Sequence, residues 1–283
     1  MKNRVFIIVI TILGALNVLA QNTGSRPKGS LFIIGGGDRT PSIVHSLLAT
    51  AKLSSKDYIV VLPMSSEEPD SSFYYFKTDM EPSCHNLFAY LNFTSADVNN
   101  KQWLDSVVHA KLIFITGGDQ DRFMKVVLHS PVYDAIHRAY ANGATIAGTS
   151  AGAALMSYHM ITGREISDTT YRPTFRKIID NNIEIKEGLG LLKNAIIDQH
   201  FVVRSRYNRV FSALANYPQL PCIGIDESTA IIVKGGRVTV AGDGQVILFR
   251  HPQALTKTAT GLLKFKDLEM TIFTAGDTFL LNK

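Results

Sequence analysis

"TIAGTSAGAALM", residues 145–156, passes from β-branched and apolar residues through Gly148, Ser150 and Gly152 into small helix formers. Nothing larger than a threonine flanks the serine. Gly148 to Gly152 satisfy G-x-S-x-G, in which a strand turns sharply into a helix and thrusts the serine Oγ out of the sheet. The glycines are needed because side chains there would collide with neighbouring backbone. At the start of the following helix, the N–H of Ala151 is placed to stabilise an oxyanion. A tight turn alone would explain the small residues; a nucleophile explains the serine as well.

Working outward, short apolar runs end in glycine or polar turns at "SLFIIGGG" (30–37), "DYIVVLPMSS" (57–66), "AKLIFITGGDQ" (110–120) and "ATIAGTS" (144–150). Helical spacing lies between them, in "TPSIVHSLLATAKLS" (40–54), with Pro41 in its first turn, and "SPVYDAIHRAYANG" (130–143), closed by Asn142-Gly143. Apolar strands alternating with helices predict an α/β fold, a mostly parallel sheet with helices on both faces. Function in such sheets gathers beyond the carboxyl ends of the strands. "GGGDR", "TGGDQ" and "GTSAG" all sit there. The stretch 224–249 alternates, turns at Gly235-Gly236 and alternates again, as hairpins do, and "LEMTIFTAGDTFLL" (268–281) reads as a further strand pair. Both are expected to form an antiparallel C-terminal extension of the same sheet.

The 283 residues are 46% hydrophobic and 19% charged, with 29 basic against 24 acidic side chains. Lys2 and Arg4 precede an apolar run from Val5 to about Leu16, and Val18-Leu19-Ala20 offers small residues for a signal peptidase. The run is short for a membrane span, which needs about 20 apolar residues. The expected organisation is a signal peptide over 1–20, a linker over 21–30 and a single domain over 31–283, exported to the periplasm or beyond the cell. Without Lys2 and Arg4 the balance is 27 against 24, too mild for nucleic-acid binding. Cys84 and Cys222 would meet an oxidising compartment, yet a buried free thiol suits Cys222 equally well. Neither has metal-ligand spacing, so no metal is expected.

The glycines of "LFIIGGGDRT" resemble a phosphate-binding turn, but the third fingerprint position is Thr40 and no acid ends a second strand at the required distance. A turn passing closely over something is the better account. A serine nucleophile needs a base. His45, His109, His129 and His137 lie in helix-like stretches, His85 and His159 have no evident partner, and His251 follows a late strand. His200 stands out in "IIDQHFVVRSRYNR", where an apolar run meets polar residues and three arginines. The carboxylate that would orient it is Glu227, its neighbour Asp226, Asp198 or Glu165. Strand alternation lets only one of Asp226 and Glu227 face the site. The order serine, histidine, acid departs from that of α/β-hydrolases.

Together, "FIIGGGDR" (32–39), "FITGGDQ" (114–120), "AGTSAGAALMS" (147–157), "DQHFVVRSRYNR" (198–209) and "IGIDESTAI" (223–231) resemble the family of cyanophycinase and peptidase E. These serine peptidases have a flavodoxin-like fold similar to class I glutamine amidotransferases. The resemblance implies Ser150 as nucleophile, His200 as base and Glu227 as third member, with the backbone N–H groups of Gly118 and Ala151 as the oxyanion hole. It further implies that Gln120, Asp198, Gln199, Arg204, Arg206 and Arg209 line the substrate site. The implied substrate is cyanophycin, a polyaspartate with arginine on each β-carboxyl. Arginines suit its free carboxylates, and Asp198 suits an incoming guanidinium. The implied activity is a serine exopeptidase releasing β-Asp-Arg without cofactor, and the N-terminal pattern, which the family does not lead one to expect, makes it an exported one. An aspartyl or isoaspartyl dipeptidase, or a non-catalytic binding member of the fold, are the alternatives. The oligomeric state, a homodimer included, is left open.

Overall fold

The computed structural model describes residues 27–167, 170 and 174–281. The expected signal peptide and most of the linker lie outside the described residues. The chain runs β1 (Ser30–Ile34), α1 (Pro41–Ala51), β2 (Tyr58–Leu62), α2 (Pro69–Met80), β3 (Leu87–Tyr90), α3 (Lys101–His109), β4 (Leu112–Ile115), α4 (Gln120–Val127), α5 (Pro131–Asn142), β5 (Thr145–Thr149) and α6 (Ala151–Ala154). β1 thus begins at the last residue of the expected linker. It continues with β6 (His159–Glu165), β7 (Ile183–Glu187), β8 (Ile196–Gln199), α7 (Tyr207–Asn216), β9 (Cys222–Ile225), β10 (Thr229–Lys234), β11 (Arg237–Gly242) and β12 (Val246–Gln253). The last strands are β13 (Thr256–Lys257), β14 (Leu263–Lys264), β15 (Asp267–Phe273) and β16 (Thr278–Leu280).

Eight strands form the central sheet, in the order β16-β11-β10-β1-β5-β4-β2-β3. The five from β1 to β3 in that order are parallel, and β10, β11 and β16 add antiparallel pairs at the β1 side. Alternation sends Phe32, Ile34, Ile59, Val61 and Phe114 to the face covered by α1 and α2. Leu31, Ile33, Val60, Leu62, Ile113 and Ile146 point to the face covered by α3, α4 and α5. Helix ends follow their sequence signals. Ser130 caps α5 by accepting from the Val132 N–H at 3.2 Å, Pro131 occupies its first turn, and Gly143, at φ 113°, ends it.

The C-terminal third departs from expectation in one respect: it feeds two sheets. β10, β11 and β16 extend the central sheet, whereas β9 and β12 join β8 and β15 in a separate four-stranded sheet. The chain changes sheets at residues 226–228 and returns at 243–245. Ser228 takes φ 50° and Gly242 φ 102° at these crossings. The two crossings bind each other, Asp243 N–H to Ser228 O at 2.9 Å and Asp226 N–H to Gln245 O at 3.1 Å. In the second sheet β8, β9 and the first half of β12 are buried on both sides, Ile223, Ile225, Val246 and Leu248 joining the central core and Cys222, Ile247 and Phe249 packing with α7, while β15 forms an exposed edge. "LEMTIFTAGDTFLL" is therefore divided, β15 going to one sheet and β16 to the other. Among the described residues no helix is long and apolar enough to cross a membrane.

Candidate active site

β1, β4 and β5 end side by side, Ile34 beside Thr149 and Ile115 beside Gly148. Their following loops meet at Ser150, whose backbone adopts φ 54° and ψ −111°. A non-glycine residue held in such a region costs about 1–3 kcal/mol and persists only where surroundings enforce it. Here the Ser150 N–H donates to Ile34 O at 3.0 Å, and the Ser150 carbonyl accepts from Ala153 and Ala154. A Cβ on Gly148 would lie 2.3 Å from Gly152 O, and one on Gly152 would lie 2.4 Å from Ile115 O. Both glycines of the motif are thus required by backbone proximity.

Ser150 Oγ lies 2.8 Å from His200 Nε2. His200 Nδ1 lies 2.5 Å from Glu227 Oε1. The carboxylate keeps the imidazole proton on Nδ1 and leaves Nε2 free to accept from the serine. His200 follows β8 at φ 49° and is anchored by its N–H to Gly35 O at 2.7 Å. Glu227 sits in the crossing between the two sheets. The glycine-rich turn after β1 passes over this pair: a Cβ on Gly36 would lie 2.2 Å from His200 Cε1, and one on Gly37 2.7 Å from Glu227 Cβ. The expected close passage thus has a named object.

Of the four candidate carboxylates, only Glu227 reaches His200. Asp226 turns away and accepts from the Val202 and Val203 N–H groups, each at 3.1 Å. Glu165 accepts from Asn182 Nδ2 at 2.7 Å. Asp198 is 1% exposed and is gripped by Arg209 through Nε, at 2.7 Å, and Nη2. Burial pushes the His200 imidazole below its ordinary value; the bond to Glu227 opposes this, and the charges of Arg204 and Arg206 reinforce it. The imidazole is therefore held neutral at neutral pH.

A cavity of about 320 Å³ opens beside Ser150. Gly118, at φ 132°, lines it; a Cβ there would lie 2.1 Å from Ser65 O. Ala151 opens α6 and is fully buried. Of the expected substrate residues, Gln120, Gln199, Arg204, Arg206 and Arg209 line the cavity, and Asp198 does not. Asp198 holds a guanidinium belonging to the protein itself, not one arriving from outside. Arg206 and Arg209 are 3% and 2% exposed and are turned into the protein. Arg206 Nη1 donates to Gln199 O at 2.6 Å and to Gln199 Oε1. Among the described residues no carboxylate pairs with Arg204.

Residues not anticipated from the sequence come from β6 and α4. Thr162, Gly163 and Arg164 line the cavity, together with Asp119 and Asp121. Arg164 Nη2 lies 3.5 Å from Asp121 Oδ2, to which Lys186 donates at 2.5 Å. The signal was close at hand, since "GREISD" offers Arg164 beside Glu165 and strand alternation sends the two to opposite faces. Cys84 and Cys222 are both free and buried, and burial pushes the Cys222 thiol up. Among the described residues no group of side chains could hold a metal.

Comparison with known proteins gives a consistent picture. The family model for Peptidase family S51 matches residues 31–241. The chain is 32% identical over 281 residues to a cyanophycinase of Trichormus variabilis, covering 93% of this chain and 89% of the relative. A cyanophycinase of Geminocystis herdmanii is 35% identical over 170 residues, 59% of each chain. Among solved structures, a peptidase from an acI-B1 Actinobacterium superposes with a TM-score of 0.67 at 22% identity, over 90% of this chain and 98% of the other. A putative peptidase E from Listeria monocytogenes gives 0.53 at 15% identity, over 76% and 99%. These two show the fold.

Proposed function

The chain belongs to peptidase family S51 and is a serine-type peptidase, and from that premise we propose that it hydrolyses cyanophycin to β-Asp-Arg dipeptides outside the cytoplasm, through an acyl-enzyme on Ser150. The observation that carries the reading is the hydrogen-bonded series Ser150–His200–Glu227, at 2.8 and 2.5 Å, beside a cavity lined by arginines. His200 takes the Ser150 proton as Oγ attacks the scissile carbonyl, and Glu227 stabilises the imidazolium that forms. The N–H groups of Gly118 and Ala151 receive the developing oxyanion. His200 then protonates the leaving amine, and water reverses the sequence to free Ser150.

Substrate recognition follows from charge. Arg204, with which no carboxylate among the described residues pairs, suits the free α-carboxylate of an arginine on the polymer, while Arg206 lies 3.7 Å from Asp198 Oδ1 and lines the cavity beside it. Arg209, neutralised by Asp198, serves instead to hold the cavity wall in place. Export rests on the N-terminal pattern of two cations, an apolar run and small residues. The same relatives that support the peptidase assignment bear the name cyanophycinase, which favours the polymer over dipeptides.

Purified protein incubated with cyanophycin, and separately with Asp-X and β-Asp-X dipeptides, tests the reading. Release of β-Asp-Arg from the polymer, lost in Ser150→Ala, is the expected result. Cleavage of dipeptides alone would transfer the assignment to an isoaspartyl dipeptidase.

A further inference from the structure

Six charged side chains line the cavity, and most are already matched within the protein. Arg209 is held by Asp198. Asp121 receives both Lys186 and Arg164. Arg122, the cation nearest Asp119 in sequence, is taken by Glu67 at 2.6 Å. Asp119 differs. It is exposed at the rim, next to Gly118. Its Oδ1 accepts from the Asp121 N–H at 2.7 Å and the Arg122 N–H at 3.3 Å, capping α4. Among the described residues no cation pairs with its carboxylate. Its backbone is fixed by an N–H bond to Ser65 O at 2.8 Å.

The next residue supplies a second acceptor. Gln120 Nε2 donates to Ile161 O at 2.8 Å and to Thr162 O at 2.7 Å. Both partners are carbonyl oxygens, so the amide has one acceptable orientation. Its two donors are spent, and Oε1 is the group left to a ligand. A carboxylate and an amide oxygen, carried by adjacent residues at one edge of the cavity, form an acceptor set for a planar cation with several N–H donors. Asp198, the acid that the family resemblance suggests for this task, is 1% exposed and paired with Arg209.

We propose that Asp119, assisted by Gln120 Oε1, receives the guanidinium of the substrate's arginine side chain and so determines selectivity for arginyl over uncharged aspartyl units. The proposal rests on the cyanophycin reading for the identity of the cation. Arg204 takes the anionic part of the substrate, and Asp119 its cationic part. An exposed, charge-assisted contact of this kind corresponds to about tenfold in affinity.

The test uses the Ser150→Ala protein, which binds without turnover, and two probes: an oligomer of two β-Asp-Arg units and its citrulline counterpart, which keeps the shape and removes the charge. Binding is measured by calorimetry with and without Asp119→Asn. Asparagine caps helices as well as aspartate does, and Asp119→Ser provides a second capping variant. The expected result is a loss of about tenfold for the arginine probe and no change for the citrulline probe. An equal loss for both probes, or none for either, overturns the assignment. Selective binding by a protein whose Ser150 form never cleaves the polymer would remove the proposed reaction and leave this inference standing.

Discussion

Gly36 lies against the imidazole of His200 so closely that a Cβ there would stand 2.2 Å from Cε1. Gly36→Ala must therefore displace the base or the turn. Its φ of 114° adds backbone strain for any L side chain. A displacement of about 1 Å from reacting geometry costs on the order of 100-fold in rate. The expected outcome is at least that loss in kcat with the fold retained, read from steady-state kinetics alongside circular dichroism.

Glu227→Gln keeps the shape of the side chain and removes its charge. The imidazole then loses the partner that holds its proton on Nδ1. A loss of roughly 10⁴-fold in kcat with little change in KM is expected, as for the equivalent change in other serine triads. A fall of only a few-fold would remove Glu227 from the catalytic chain.

The pH dependence follows from the lowered imidazole. A protonated His200 cannot accept the serine proton, so kcat/KM rises with pH through the His200 value, which lies below the ordinary 6.5. Activity therefore extends further into acid than an exposed histidine would allow. Arg204→Gln removes one of the charges that press this value down, so the acid limb shifts to higher pH. The same group contributes to stability. It binds protons more readily unfolded than folded, so this contribution is present above 6.5 and lost as pH falls toward the folded value.

Asp198 and Arg209 form a buried pair at 1% and 2% exposure. Asp198→Asn leaves Arg209 uncompensated, and denaturant unfolding should show a loss of about 3–5 kcal/mol. Replacing both residues together, Asp198→Leu with Arg209→Met, should recover most of that stability. If the single and double variants unfold alike, the pair has no energetic role.

Much of this molecule is legible in its residues because its chemistry demands small ones. The G-x-S-x-G turn and the glycines after β1 are forced by backbone and side-chain proximity, so they stand out as pattern in the chain itself. The parallel core reads from continuous apolar runs such as Leu112–Ile115, which are buried on both sides. The second sheet does not read, for a related reason. Cys222–Ile225 and Val246–Phe249 are also buried on both sides, and burial alone does not say which neighbour a strand will join. The roles of the arginines are equally silent in the sequence. Spacing places Arg206 and Arg209 near His200, but whether each meets a substrate or an internal acid depends on how α7 packs. Arg164 belongs to no motif, and Asp119 stands within "TGGDQ" with nothing in the pattern to mark its role. Gln120, bonding from the first residue of α4 to Ile161 O and Thr162 O of β6, ties the two segments together at the cavity.

Glu227 stands at the joint between the two sheets, while Ser150 belongs wholly to the first. Catalytic competence is therefore a report on assembly. A chain that has formed its parallel core but not yet docked the β8–β9–β12–β15 layer has a complete elbow and no base to activate it. In a refolding experiment, central-sheet signals should return before hydrolysis does. The interval between them would measure how long the molecule stays a peptidase in shape only.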